Sequence, residues 1–122
     1  MRHPWGAVLE GERAVSWNTW YSGRHWSQRS AWSQRVHALM RAAIDPQHDQ
    51  IFDAQVDIFI EASYADHPVD SDNVCGKPYI DGLIGWIIAD DDSAHVRWVH
   101  LRGMPDTHNA VTIQVVAVEE IT

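Results

Sequence analysis

The sequence predicts an α/β (α+β) fold, with a mixed β-sheet of about four strands and two main helices packed on it. Three observations lead to this prediction. Apolar residues alternate with other residues over 51–64, 95–102 and 110–118, with the two-residue period of a β-strand. Apolar residues recur every three or four positions over 27–44, as on one face of a helix. The predicted order is strand, helix, strand, helix, strand, strand.

Length and composition indicate one domain, residues 1–122. The chain has 122 residues, of which 45% are apolar, enough for a hydrophobic core. It contains no run of 18 apolar residues, and its N-terminal segment lacks the apolar core of a signal peptide. The single cysteine, Cys75, excludes an internal disulfide, which favours a reducing, cytoplasmic compartment.

The first third of the chain combines a weak strand pattern with an aromatic segment. Residues 6–16 alternate weakly and contain two glycines, which indicates a first strand. Residues 16–26 show no period and are expected to form a loop that stacks on nucleic-acid bases or packs on the core. Packing is expected for at least two of its aromatic residues, which are Trp17, Trp20, Tyr21 and Trp26. Arg24 and His25 are candidates to contact phosphate.

The predicted first helix covers residues 27–44. Ser27 is a suitable N-cap, and Asp45-Pro46 ends the helix. The apolar stripe consists of Trp32, Val36, Leu39, Met40 and Ala43. The arginines lie away from this stripe or beside it, which predicts a solvated face containing Arg29, Arg35 and Arg41.

The second helix is predicted over 73–84, ending at Gly85. Because a proline inside a helix removes a hydrogen bond, Pro78 favours a regular helix that begins near Lys77. On a helix, Lys77 and Asp81 share one face.

The remaining segments are predicted strands. The strand at 51–64 has the clearest alternation, and its buried side would carry Ala54, Val56, Ile58, Ile60 and Ala62. A hairpin-like loop at 103–109 is expected to join the strands at 95–102 and 110–118.

Acidic residues are concentrated around the motif Asp-Ser-Asp-Asn at 70–73. The seven carboxylates of this region are Asp66, Asp70, Asp72, Asp81, Asp90, Asp91 and Asp92. Crowded carboxylates repel one another unless a cation neutralises them, and oxygen-only ligands favour Mg²⁺ or Mn²⁺. Such an ion activates a water and neutralises charge on a phosphate that is being cut. Lys77, the only lysine, either contacts that phosphate or forms a surface salt bridge with Asp81.

The net charge of −8 is unevenly distributed. Residues 1–44 contain six arginines and two acids, whereas residues 45–122 contain three basic residues and fifteen acids. The total argues against a nucleic-acid partner. The distribution allows a basic first third to hold phosphates while an acidic centre holds metal. The alternative is that the acids form a solvated surface.

Other sites fit the sequence less well. An EF-hand beginning at Asp70 fails because Val74 and Cys75 stand where a ligand and a glycine are needed. A Cys75–His nucleophilic pair has no supporting spacing, and neither a zinc-binding histidine motif nor a glycine-rich phosphate loop is present.

The acidic motif resembles the RusA family of Holliday-junction resolvases, small endodeoxyribonucleases often carried by phages and prophages. The resemblance rests on Asp-Ser-Asp-Asn-Val-Cys-Gly-Lys-Pro-Tyr-Ile-Asp-Gly-Leu at 70–83, then Asp90-Asp91 and a strand from Val96. Upstream, Ser16-Trp-Asn18 with Tyr21 and His25-Trp26 is similar to the family's N-terminal loop. Together these segments extend over residues 16–118.

The resemblance implies a Mg²⁺-dependent homodimer that cuts four-way DNA junctions by paired nicks in recombination and repair. Asp70, Asp72 and Asp91 match the metal-binding positions, and Lys77 matches the essential lysine. Asn73 and Asp81 match supporting positions, and Asp90 or Asp92 is an alternative third ligand. The candidate DNA contacts are Asn18, Arg24, His25 and Arg29.

Two other functions remain open from the sequence. A catalytically idle protein with this fold would bind junctions without cutting them. A metal-binding or regulatory module would show no salt-dependent affinity for DNA.

Overall fold

The computed structural model describes residues 3–21, 26–44 and 51–118, with the side chains of Trp26 and Ser27 excepted. It confirms the α+β class and the mixed four-stranded sheet. The elements are β1 Trp5–Glu10, α1 Trp17–Tyr21, α2 Trp26–Ala43, β2 Val56–Tyr64, a 3₁₀ helix Ser71–Asn73, α3 Lys77–Leu83, β3 Val96–Pro105 and β4 Ala110–Ala117.

The sheet has the order β1-β4-β2-β3. Strand β2 is central: Ile60 pairs with Ile113 of antiparallel β4 on one side and with Leu101 of parallel β3 on the other. β2 begins at Val56, so the predicted start at residue 51 was wrong. Ahead of it, Phe52 forms an isolated bridge with Ile88. The parallel pairing of β2 and β3 requires a crossover, which α3 provides.

The expected hairpin between the last two strands was wrong. β3 continues to Pro105, and β2 lies between β3 and β4. The connection therefore crosses the end of β2, where the Asp106 amide donates to the Tyr64 carbonyl over 2.9 Å. The Ala65 amide donates to the side-chain oxygen of Asn109 over 2.9 Å. In this arrangement the apolar strand β2 has a partner strand on both edges.

The core lies between one face of the sheet and helices α2 and α3. Of the predicted inward residues of this strand, Val56, Ile58, Ile60 and Ala62 are at most 1% exposed. Ala54 lies before β2 and is exposed, so its inward assignment was wrong. Val36 and Met40 confirm the helix stripe, whereas Leu39 is 36% exposed, so its assignment to the core was wrong. No helix in the described part of the chain is long and apolar enough to cross a membrane.

In the described part of the chain no element covers the opposite face of the sheet. Its exposed apolar residues, which we call the open sheet face, are Val8, Phe59, Trp98 and Val116, one from each strand. The ring of His100 stacks on Phe59 with the centroids 4.4 Å apart.

Local chemistry explains where the helices begin and end. α3 begins at Lys77, as Pro78 indicated, because a proline in the first turn removes no intrahelical hydrogen bond. Gly85 follows the helix at φ +83°, a conformation that favours glycine. The segment expected as a loop at 16–26 instead contains α1, which the Ser16 side chain caps by accepting from the Thr19 amide over 3.0 Å.

Arg35 is 52% exposed, as predicted for the solvated helix face, but it also pairs with a buried carboxylate, which the sequence did not indicate. Its guanidinium donates to both carboxylate oxygens of Glu12, over 2.9 and 3.2 Å, and the Glu12 side chain is 4% exposed. The Tyr79 hydroxyl donates to the same carboxylate over 3.2 Å. The Glu12–Arg35–Tyr79 cluster thereby joins the segment after β1 to α2 and α3.

Candidate active site

Three of the predicted site residues line one cavity. It has a volume of about 340 Å³ and lies where α1, α3 and β3 meet. Its lining residues are Trp17, Gly76, Lys77, Ile80, Asp81, Asp91, Val99 and Leu101. An aromatic ring, an ammonium group and two carboxylates therefore face a space that is otherwise apolar.

Lys77 and Asp81 lie one turn apart on α3. The Lys77 ammonium is 3.7 Å from the nearer carboxylate oxygen of Asp81, and the two side chains are 45% and 30% exposed. The salt bridge offered as an alternative for Lys77 therefore exists. Since the pair is loose and partly solvated, it holds the ammonium weakly and leaves it able to contact an anion in the cavity.

The turn before β3 distinguishes among the three consecutive aspartates. The carboxylate of Asp90 accepts from the Asp91 amide over 2.8 Å. The carboxylate of Asp92 accepts from the His95 amide over 3.1 Å, and its contact with the His95 ring holds the pKa of Asp92 below its usual range. Asp91 alone of the three lines the cavity, which favours it as the functional member.

Asp70 and Asp72 lie on the segment leading to α3. The Asp70 carbonyl accepts from the Asn73 amide over 2.8 Å, so Asn73 closes the 3₁₀ turn. The Ser71 hydroxyl accepts from the Gly103 amide over 3.0 Å, which ties this turn to β3. Both carboxylates are exposed, and neither lines the cavity.

The predicted metal ligands are suited chemically but are not gathered into one group. Among residues 3–21, 26–44 and 51–118, no three Asp, Glu, His or Cys side chains form a group that could hold a metal. In the same ranges no basic side chain lies within 4.0 Å of Asp70, Asp72 or Asp91. Their carboxylates are therefore unneutralised oxygen donors of the kind Mg²⁺ prefers.

An aromatic array extends from the cavity wall. The rings of Trp17 and Tyr21 stack with centroids 5.7 Å apart and planes within 1°. The Arg29 guanidinium lies 5.3 Å from the Tyr21 ring centre, and Asn18 is exposed on the same helix as both rings. Tyr21 is 52% exposed and Trp17 is partly buried, and an accessible ring beside a cation can accept a nucleic-acid base.

The other aromatic residues of this segment differ in position. Trp20 is 5% exposed and stacks on Trp32 at 5.9 Å, as expected for core packing. The side chain of Trp26 and the predicted phosphate contacts Arg24 and His25 lie outside the described residues.

The alternative nucleophile Cys75 is enclosed by the fold. Its side chain is fully buried, and burial raises the pKa of the thiol to about 11. Because the thiolate is the reactive form, this environment disfavours nucleophilic catalysis by Cys75.

No protein-family model matches this chain, and no curated protein matches it either.

Proposed function

We propose that the protein is a metal-dependent, structure-selective DNA endonuclease that resolves four-way junctions by paired nicks, as the RusA-like motif implies. The observation that carries this proposal is the cavity into which Lys77, Asp81 and Asp91 converge beside Trp17. An ammonium group can neutralise a phosphodiester, a carboxylate can contribute to holding a metal ion, and an aromatic ring can stack on a base.

The residues would divide the work as follows. The Lys77 ammonium would neutralise charge on the scissile phosphate or its leaving oxygen, and Asp81 would position that ammonium. Asp70, Asp72 and Asp91 would hold Mg²⁺, or Mn²⁺ in its place. When bound, the ion would supply an activated water and charge neutralisation.

The substrate contacts and assembly belong to the same proposal. Trp17 and Tyr21 would stack on bases, while Asn18, Arg24, His25 and Arg29 would contact the DNA backbone. A homodimer acting in the cytoplasm would match the two-fold symmetry of the junction and account for paired cuts.

The test is cleavage of a labelled four-way junction and a matched linear duplex, with Mg²⁺ or with EDTA. We expect paired nicks in the junction alone, lost in EDTA and in the variants Asp72→Asn, Lys77→Ala and Asp91→Asn. Asp90→Asn is the matched control and should keep its activity, since Asp90 binds a turn amide outside the cavity. No cleavage by the wild-type protein with either ion would refute the endonuclease.

A second candidate is the idle junction-binding protein. The observation that favours it is that Asp70 and Asp72 do not share the cavity of Asp91. Tight junction binding without cleavage would support this function.

A further inference from the structure

A second cavity lies on the other side of Asp81. It has a volume of about 360 Å³ between α2 and α3, and its lining residues are His37, Arg41, Asp81, Gly82, Ile84 and Trp86. Because Asp81 lines both cavities, the two spaces adjoin the same side chain. The function proposed above involves Lys77 and Asp91 in the first cavity and assigns no role to this second cavity.

Arg41 in this cavity has no acidic partner among the described residues. Its guanidinium lies 5.6 Å from the ring centre of Trp86, which is 48% exposed. Within the described ranges no carboxylate lies within 4.0 Å of it. Four other arginines in those ranges are paired with acids, namely Arg13, Arg35, Arg97 and Arg102.

His37 supplies an independent observation. Its Nε2 atom is buried and has no hydrogen-bond partner among the described residues. A buried polar atom without a partner is costly, and a bound water or ion is one of the usual partners of such an atom. His37 lies one turn before Arg41 on α2, so both side chains can reach the same group.

Gly82 keeps the cavity wall close to His37. A Cβ atom at this position would lie 2.8 Å from Met40 Cγ and 3.7 Å from His37 Cδ2. The absence of a side chain therefore allows α3 to approach α2 and leaves His37 at the wall of the cavity.

We propose that this cavity binds a phosphate ester through Arg41 and His37, with the attached nucleoside packed against Trp86. The phosphate ester belongs to the DNA strand that leaves the first cavity. Guanidinium and imidazole groups bind phosphate, and an indole face accepts a base. The Asp81 carboxylate in the cavity lining would repel a phosphate. The Lys77 ammonium, 3.7 Å from a carboxylate oxygen of Asp81, offsets this negative charge. The assignment to DNA rests on the proposed function, whereas the phosphate site does not.

The first arm measures junction affinity by fluorescence anisotropy in EDTA, at several salt concentrations. Arg41→Gln should weaken binding about tenfold and reduce the slope of log affinity against log salt by about 1. His37→Gln should weaken binding in the same direction. The matched control Arg13→Gln removes an arginine that is 42% exposed, paired with Asp66 and outside the lining of both cavities, so both quantities should be unchanged.

The second arm uses a free ligand, a deoxynucleoside 5′-monophosphate, titrated into the labelled protein and followed by NMR. We expect shifts of the His37 and Trp86 ring signals in the wild-type protein and none in Arg41→Gln. Unchanged spectra would overturn the phosphate site. Unchanged junction affinity in both variants would overturn the DNA assignment while leaving the endonuclease intact. Nucleotide binding without any junction binding would refute the endonuclease and support a site for free nucleotides.

Discussion

The Glu12 carboxylate is a charged group buried in the described core, so it requires hydrogen-bond and ion-pair partners. It is held by Arg35 and Tyr79, whose side chains come from two different helices. Its neighbours could not be predicted, because they lie 23 and 67 positions away along the chain. A buried carboxylate that loses its cation is strongly destabilising, whereas an exposed pair contributes little.

We therefore expect Arg35→Ala to lower the free energy of unfolding by about 1–3 kcal/mol, below the value for a fully buried pair because Arg35 is half exposed. Urea denaturation measures this change. Arg102→Ala is the control, since its pair with Glu61 is exposed and 3.6 Å long, and it should shift stability by less than about 0.5 kcal/mol. Equal losses in both variants would contradict the role of Glu12.

The Tyr79 hydroxyl makes stability depend on alkaline pH. Burial raises the pKa of Tyr79 far above its usual value of about 10, and the Glu12 carboxylate raises it further. The folded state then keeps a proton that the unfolded state releases, so stability is lost as pH rises above about 10. Tyr79→Phe should reduce this slope by up to about 1.4 kcal/mol per pH unit between pH 10 and 12. Parallel curves for both proteins in urea denaturation would contradict this expectation.

The choice among Asp90, Asp91 and Asp92 shows where residue patterns stop being informative. Three identical side chains in succession carry no spacing signal. The turn geometry separates them, because backbone amides engage the first and the third.

Elements with a strong local signal were predicted well. The period of α2, the alternation of β4 and the late start of α3 at Pro78 all depend on residues within the element. The pairing of β3 with β2 rather than with β4 depends on contacts distant in sequence. The residue pattern within a single strand could not predict which strands pair with each other.

The contact between the segment leading to α3 and strand β3 depends on Gly103. A Cβ atom there would overlap the carbonyl oxygen of Val69 and lie 3.3 Å from Val74 Cγ2. Gly103→Ala should displace the segment bearing Asp70 and Asp72, so we expect junction cleavage to fall at least tenfold. A displaced backbone should also cost about 1–3 kcal/mol of stability, measured in urea.

Gly6→Ala is the matched control for this element. Its Cβ atom would meet only ordinary contacts, the nearest at 3.4 Å from the Ile113 carbonyl oxygen. Cleavage and stability should change little. Full cleavage activity in folded Gly103→Ala would show that the position of the aspartate segment does not matter.

At the scale of the whole molecule, the open sheet face is the surface best suited to a second copy. Its four apolar residues come from all four strands. Of the acids on this face that the structure describes, Asp57 pairs with Arg97 and Glu61 pairs with Arg102, while the Glu10 carboxylate lies 3.5 Å from the His108 ring. In a chain of net charge −8, two copies could meet here with most of the facing acids already paired.

Sedimentation should therefore give a particle of twice the 13.9 kDa chain mass. Trp98→Glu should weaken the dimer by about 2 kcal/mol or more, since Trp98 is 59% exposed at this face and would be buried in the interface. Leu39→Glu on α2 is the control and should remain dimeric. A monomeric wild-type protein at high concentration would remove the proposed dimer.

The buried thiol of Cys75 can also be used to measure local opening of the segment that precedes α3. It is the only cysteine, and it lies between the 3₁₀ turn and α3, with its amide donating to the Val15 carbonyl over 2.9 Å. A maleimide added in solution can react only after that segment separates from the sheet. The rate of alkylation therefore measures how often the segment that carries Asp70 and Asp72 opens. Slower alkylation in the presence of DNA would show that bound DNA stabilises the closed conformation of this segment.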